Sequence, residues 1–195
     1  MPRVSKKQAE QNHADVIAAA SKLFRAHGIN GVSVPALMAE AGLTHGAFYG
    51  HFDSKEELAA AACTHAVEQS GALYDGLLER HGGDKAAAFT ELVGRYTSKA
   101  HRDRPGLGCP IAALGADAAR EEFKGPVRRA FAAGVERMVD RVQPLLGRRG
   151  KAAARDESLA DVALLVGALA LARATKGHAI SEEILSAARK ALTPA

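Results

Sequence analysis

Apolar residues recur at helical spacing along almost the whole chain. Val16, Ile17, Ala20, Leu23 and Phe24 mark one face of a first helix that ends near His27-Gly28, where a glycine accommodates a left-handed cap. Arg3, Lys6 and Lys7 precede it as a basic arm. Two short helices follow. Ser33 is placed to cap one of them, with Val32 and Leu37 as a hydrophobic staple, and Val34, Leu37 and Ala41 share one side before Gly42 ends it. Thr44 is placed to cap the next, with Leu43 and Phe48 as a second staple, and that helix closes at His51-Phe52.

The pattern stays helical to the end. Ser54-Lys55-Glu56-Glu57 has the form of a capping box and predicts a long helix to about Arg80, broken by His81-Gly82-Gly83. Asp84 restarts a helix whose stripe is Phe89, Leu92, Val93 and Tyr96. A loop spans Arg104 to Gly108, and a short helix runs from about Pro110 to Ala119. Gly125-Pro126 opens a long helix with Val127, Phe131, Val135, Met138, Val142 and Leu145 inward. A basic loop over Gly147 to Ala154 leads to a helix from Leu159 to Lys176, capped by Ser158 with Asp161, and Ser181 starts a last short helix. No segment alternates apolar and polar residues with β-branched enrichment, so the expected class is all-α, with nine helices and no sheet. The expected division is an N-terminal three-helix unit, residues 1–53, and a C-terminal helical bundle, residues 54–195.

Composition agrees with a packed helical protein: 47% of residues are apolar and only 5% aromatic. The net charge of +4 suits an anionic partner without requiring one. Residues 1–55 hold 6 basic against 4 acidic side chains and four of the eight histidines. The N-terminal stretch Met1 to Gln11 is polar, and the longest apolar run, Val162 to Ala172, is shorter than the roughly 20 residues of a membrane span. A cytoplasmic protein with both cysteines, Cys63 and Cys109, reduced is therefore expected, with no membrane partner.

Two short, capped helices joined by Ala41-Gly42-Leu43 have the layout of a helix-turn-helix, whose second helix enters the DNA major groove. That second helix offers Thr44, His45, Gly46, Tyr49 and His51: hydroxyls, imidazoles and a bare stretch of backbone suited to phosphates and bases. Lys55 stands at the start of the next helix, where backbone N–H groups also attract phosphate.

The run Ala41-Gly42-Leu43-Thr44, with Gly46, Phe48-Tyr49, His51-Phe52 and Ser54-Lys55-Glu56-Glu57-Leu58, resembles the TetR family of transcriptional regulators over roughly Val16 to Leu58. The remainder matches by architecture only. Met38 departs from the family pattern, where alanine is common. The resemblance implies that Ser33, Thr44, Tyr49, His51 and Lys55 anchor phosphates, that His45 and Gly46 approach bases, and that Phe48 and Phe52 are core. It also implies a homodimer on a palindromic double-stranded operator, released by a small-molecule effector bound in the C-terminal domain.

For that effector pocket the candidates are Phe89, Tyr96, Leu107, Ile111, Phe123, Phe131 and Met138, with ordinary core the favoured reading of any one of them. Cys109 lies between a Pro/Gly loop and a helix start, which favours a thiolate, and His101, Arg102 and Arg104 lie just upstream. The loop is expected to leave the thiol accessible. A Gly-Cys pair at this place resembles a subset of the family that senses electrophiles or oxidants; the alternative is a small buried hydrophobe. Cys63 reads as structural, and Cys63 with His65 makes no metal site, so neither metal nor cofactor is expected. The helix around Val162 to Ala172, with the last helix beside it, suits a four-helix dimer interface as in the family, through Leu164, Leu165, Ala168, Leu169, Ile184 and Leu185. An enzyme is not expected, because no histidine, carboxylate and cysteine are spaced for catalysis. A DNA-binding protein without an effector is a further alternative, which a filled core would favour.

Overall fold

The computed structural model describes residues 5–72, 74–120, 125–146 and 151–193. Among them are ten α-helices and two short 3₁₀ helices, with no strand. Helix α1 (Lys6–His27) begins earlier than the apolar pattern required. Ser5 caps it by accepting from the Gln8 N–H, so Lys6 and Lys7 form its first turn and are not a loose arm. Arg3 lies outside the described residues.

Helix α2 (Val34–Glu40) is capped by Ser33, whose Oγ accepts from the Ala36 N–H at 3.4 Å. Its other end is a Schellman turn. Gly42 takes φ 71°, and the Gly42 and Leu43 N–H groups return to the Ala39 and Met38 carbonyls at 3.0 and 2.8 Å. This turn aims a 3₁₀ helix, His45–Gly50, across α2. Met38 and Phe48 are fully buried together with Phe24 and Leu37, so the larger side chain at position 38 is accommodated in the core.

Helix α3 (Lys55–Ala72) starts with the expected cap: Ser54 Oγ accepts from the Glu57 N–H at 3.1 Å, while Glu57 accepts from the Asp53 N–H at 2.8 Å. It does not continue to Arg80. The chain turns at Tyr74 to Gly76, Gly76 takes φ 75°, and the four-residue helix α4 (Leu77–Arg80) follows.

The body consists of α5 (Lys85–Tyr96), α6 (Lys99–Asp103), α7 (Pro110–Ala118), α8 (Pro126–Leu146), α9 (Lys151–Ala174) and α10 (Ala179–Leu192). The loop before α7 contains the second 3₁₀ helix, Pro105–Leu107. Helix α9 is longer than expected. It already includes 151–154, which the charge pattern assigned to a loop, and Ser158 is a fully buried residue inside it where a cap was expected.

Two apolar clusters organise these helices. The first unites α1, α2 and the 3₁₀ helix with Leu58, Ala62 and Cys63 of α3, Leu114 of α7 and Val127 of α8. The second joins Val67 of α3 to Phe89, Leu92, Tyr96, Ile111, Val139, Val142, Leu165 and Leu169. Helix α3 thus serves both. It packs closely on α8 because Gly134 lacks a side chain: a Cβ there would stand 2.7 Å from Val67 Cγ2 and 3.1 Å from Ile111 Cδ1. None of the described helices is long and apolar enough to cross a membrane.

Candidate nucleic-acid interface and interior cavity

The reading surface follows from how the two caps differ. Ser33 uses a lone pair on its own helix, leaving its hydroxyl proton free. Thr44 occupies the N-cap position of the 3₁₀ helix, but its side chain makes no capping bond and is exposed. His45, Gly46 and Tyr49 are exposed beside it, and no atom lies within 4 Å of the place a Gly46 Cβ would occupy. Tyr49 is 71% exposed, although its ring is braced edge-on against buried Phe48 at a centroid distance of 5.2 Å. An aromatic ring held this way, with its hydroxyl in solvent, is a ready phosphate donor.

His51 and Lys55 are half-buried at the margin of that face. The His51 ring is 6.0 Å from that of His13, which itself stacks on Phe52 at 4.5 Å. Burial holds the Lys55 ammonium below its ordinary value, with Asp117 acting in the opposite sense.

Behind the head, a cavity of about 280 Å³ opens between α3, α5, α7 and α8. Of the residues expected to line it, Tyr96, Leu107, Cys109, Ile111 and Met138 do. Phe89 faces a separate recess near the ends of α8 and α10. Phe131 packs between the two apolar clusters, and Phe123 lies outside the described residues. Pattern reading missed the cavity's polar wall: Tyr74, Arg95 and Arg141, none of which belongs to an inward apolar stripe.

Cys109 is not accessible from solvent as its Pro/Gly loop implied. It is only 6% exposed, because α1 and α9 cover the loop, and what it faces is the cavity. Of the three basic residues upstream, His101 folds onto it, Arg104 lines the cavity, and Arg102 turns away to Ser181 Oγ at 2.9 Å and to Asp103. Cys63 is buried, and burial pushes its thiol up to about 11, an inert structural cysteine.

His101 has a defined tautomer. Its Nε2 accepts from the Cys109 backbone N–H at 2.9 Å, so the ring proton is on Nδ1, which donates to the Tyr96 carbonyl at 2.8 Å. Burial holds the ring below its ordinary value; the Tyr96 carbonyl opposes this and the Arg173 charge adds to it. Tyr96, 1% exposed, has a hydroxyl that meets no hydrogen-bond partner in good geometry among the described residues, with the Cys109 thiol as a weak neighbour; burial first, and the charge and hydrogen bonding of Cys109 second, push it well above its ordinary value, so it remains a donor.

Polar ties between described residues join head and body. The buried Arg25 guanidinium of α1 donates to the Gly108 carbonyl at 2.9 Å and to Gln69 Oε1 of α3 at 2.8 Å. Asp117, near the end of α7, accepts from the Ile29 N–H at 3.2 Å. Helix α7 therefore has Cys109 and the cavity at its start and the head at its end.

Of the expected dimer residues, Leu165, Ala168, Leu169 and Leu185 are buried within the chain itself. Leu164 is exposed and Ile184 is half-buried. The outward apolar stripe is instead Ala160, Leu164, Gly167 and Leu171, spaced i, i+4, i+7 and i+11 along α9, with exposed Ile180 on α10.

The His101 geometry generates a pH prediction. Because the folded ring binds its proton less tightly than the unfolded one, stability is complete above 6.5 and falls as pH drops below that value. Urea unfolding midpoints measured across this window should decline on the acid side, and His101→Gln, which cannot titrate, should show a smaller decline than the parent.

Residues 16–62 match the family model for bacterial regulatory proteins of the tetR family. No curated protein matches the sequence as a whole. Among solved structures, the reduced form of Escherichia coli NemR is similar with a TM-score of 0.77 and 19% identity, over 93% of this chain and 95% of that one. A TetR regulator from Chloroflexus aurantiacus is similar with a TM-score of 0.73 and 22% identity, over 96% and 94%. CifR, a TetR regulator solved as a cysteine mutant on 26-bp operator DNA, is similar with a TM-score of 0.73 and 19% identity, over 100% and 98%. With the helix-turn-helix, the all-helical body and this match in hand, residues 16–62 carry the DNA-binding domain of the tetR family of bacterial regulatory proteins, and the chain has the fold of the solved TetR regulators it resembles.

Proposed function

We propose that the protein is a homodimeric repressor of the cytoplasm that binds a palindromic operator and leaves it when a small molecule fills the interior cavity. In this reading residues 1–53 read DNA and residues 54–195 sense and dimerise. The observation that carries it is the direct polar connection between cavity and head. Gly108, beside Cys109 on the cavity wall, holds Arg25, and Asp117 at the far end of α7 holds Ile29. A ligand that displaces Gly108 or the start of α7 acts on both ties at once. A difference of about 1–3 kcal/mol between two head positions suffices for control. A DNA-binding protein without an effector would have no use for an apolar cavity at this junction.

On the DNA side, Ser33, Thr44, Tyr49, His51 and Lys55 are assigned to phosphates, and His45 and Gly46 to bases. The free Thr44 hydroxyl and the braced Tyr49 ring support this most directly. The α9 stripe through Leu164 and Leu171, with Ile180, is assigned to the dimer: its small residues allow two helices to approach closely, and its leucines would otherwise face water.

A second reading rests on Cys109. Its sulfur lies beside the unpartnered Tyr96 hydroxyl and opens to the cavity, so an electrophile or oxidant entering there reaches the thiol directly. Alkylation would add bulk next to Gly108 and strain the Arg25 tie.

These assignments give three expected outcomes. Selection from random duplexes should recover a two-fold symmetric site, and Tyr49→Ala should weaken binding to it by about 1–3 kcal/mol; recovery of no symmetric motif removes the operator reading. Leu171→Asp should shift the sedimenting species from dimer to folded monomer, since Leu171 is 57% exposed in the single chain and the charge costs nothing until a partner covers it. For the second reading, alkylating agents should abolish operator binding by the parent and spare Cys109→Ser; equal loss in both proteins leaves the noncovalent effector alone.

A further inference from the structure

The cavity beneath the head has a mostly apolar wall, including Leu92, Ile111, Met138 and Val142. Among the described residues, the charged side chains on that wall are all of one sign: Arg95, Arg104 and Arg141 line it, and no described aspartate or glutamate does. Arg95 is paired to Glu91 and Arg141 to Asp75, each partner lying outside the cavity. Arg104 is exposed at the cavity, and its guanidinium has no hydrogen bond or ion pair with any described residue.

The same imbalance recurs in the buried interior around Cys109. Among the described residues, the buried side-chain polar atoms without a partner are Tyr96 Oη and Arg173 Nε and Nη1, and all three carry hydrogen to donate. Among the described residues, Arg173 reaches only the His101 carbonyl, and Arg25 reaches carbonyl, hydroxyl and amide oxygens. Neither guanidinium has an ion pair with a described carboxylate. Both interact electrostatically with Cys109, and Arg173 also with Tyr96. A folded protein seldom leaves buried donors and charges uncompensated, and such a group calls for a partner, whether water, ion or ligand.

We propose that the cavity takes a small organic anion, a monocarboxylate with an apolar alkyl or aryl body. Its chain lies against Leu92, Ile111, Met138 and Val142, and its carboxylate is held by the Tyr96 hydroxyl and the unpaired Arg104 guanidinium. This deepens the effector reading above by naming the chemistry of the ligand, and rests on that reading only for its effect on DNA. The size fits: 280 Å³ is at the lower end of ligand pockets, room for a short chain or a single ring and not for a large drug-like molecule. Wall and charge together select the class. A fully apolar ligand would leave the Tyr96 hydroxyl unpartnered, and a cation would meet three arginines. A neutral alcohol would fill the apolar wall but leave Arg104 unpaired.

The test uses the full-length protein and defined probes. Octanoate and 3-phenylpropanoate are titrated calorimetrically beside octan-1-ol and octylamine, which match octanoate in length and differ in charge. At least one carboxylate should bind about tenfold more tightly than octan-1-ol, as expected for a charge-assisted hydrogen bond, and octylamine should not bind. Tyr96→Phe removes an unpartnered hydroxyl and Arg104→Gln changes an exposed side chain, so both should fold as the parent does. Each should lose about tenfold in carboxylate affinity while octan-1-ol is unaffected. The proposal is overturned if neither carboxylate binds, if the alcohol binds as well as the acid, or if both variants bind the acid like the parent. Operator affinity recorded in the same titrations separates the two readings. Carboxylate binding with unchanged operator affinity keeps the anion site and removes its effector role, whereas operator release by the alcohol with no carboxylate binding keeps the effector role and removes the anion site.

Discussion

A guanidinium stays charged in any protein interior, so burying one obliges the fold to surround it with acceptors. Arg25 is 4% exposed at the seam between the DNA-reading head and the helical body. Its acceptors come from three segments far apart in sequence: the Ser21 carbonyl and hydroxyl one turn earlier in α1, Gln69 in α3, and the Gly108 carbonyl before α7. Satisfying this one side chain fixes the relative position of all three. The rest of the arrangement follows from that tie. The Gly108 carbonyl can face Arg25 only when the loop from Pro105 to Gly108 lies against α1, and this in turn places Cys109 against His101 and on the cavity wall.

The same constraint explains why no clean break separates head from body. The core of the head continues into α3, Leu114 and Val127, and α3 then passes into the second cluster through Val67. Helix α7 is short, about 14 Å long at the usual rise, yet it touches the cavity at Cys109 and the head through Asp117. Arg128 of α8 holds its far end by donating to the Ala118, Ala119 and Arg120 carbonyls. A helix held at both ends by polar groups and packed along its length tends to move as a unit. In the proposed reading, this helix is the route by which a ligand in the cavity acts on the head.

The two cysteines show how environment divides residues of one kind. Cys63 sits within α3 under the head, buried among Phe24, Leu58 and Leu114, and burial makes its thiol a poor acid. Cys109 is almost as inaccessible to solvent but borders a void lined by donors and cations. The difference lies in which elements converge on each.

Local chemistry was legible in the chain because it depends on neighbours in sequence. The caps at Ser33 and Ser54, the glycine turn at Gly42, the all-helical class and the exposed face around Thr44 to Tyr49 follow from residues within one or two turns of each other. Long-range geometry was not. The break after Ala72 came from a turn that helical periodicity had hidden, and α9 began well before the cap its polar residues suggested. Leu165 and Leu169 read as an interface because their helix is apolar nearly all round, but only packing against α5 and α8 could decide which side is core, and that left Leu164 and Leu171 outside. The meeting of Arg25 with Gly108, of His101 with Cys109, and of three arginines around one apolar void likewise belongs to the tertiary structure. Charge and hydrogen bonding act through space, and the residues that satisfy them, or leave them unsatisfied, are brought together only by the fold.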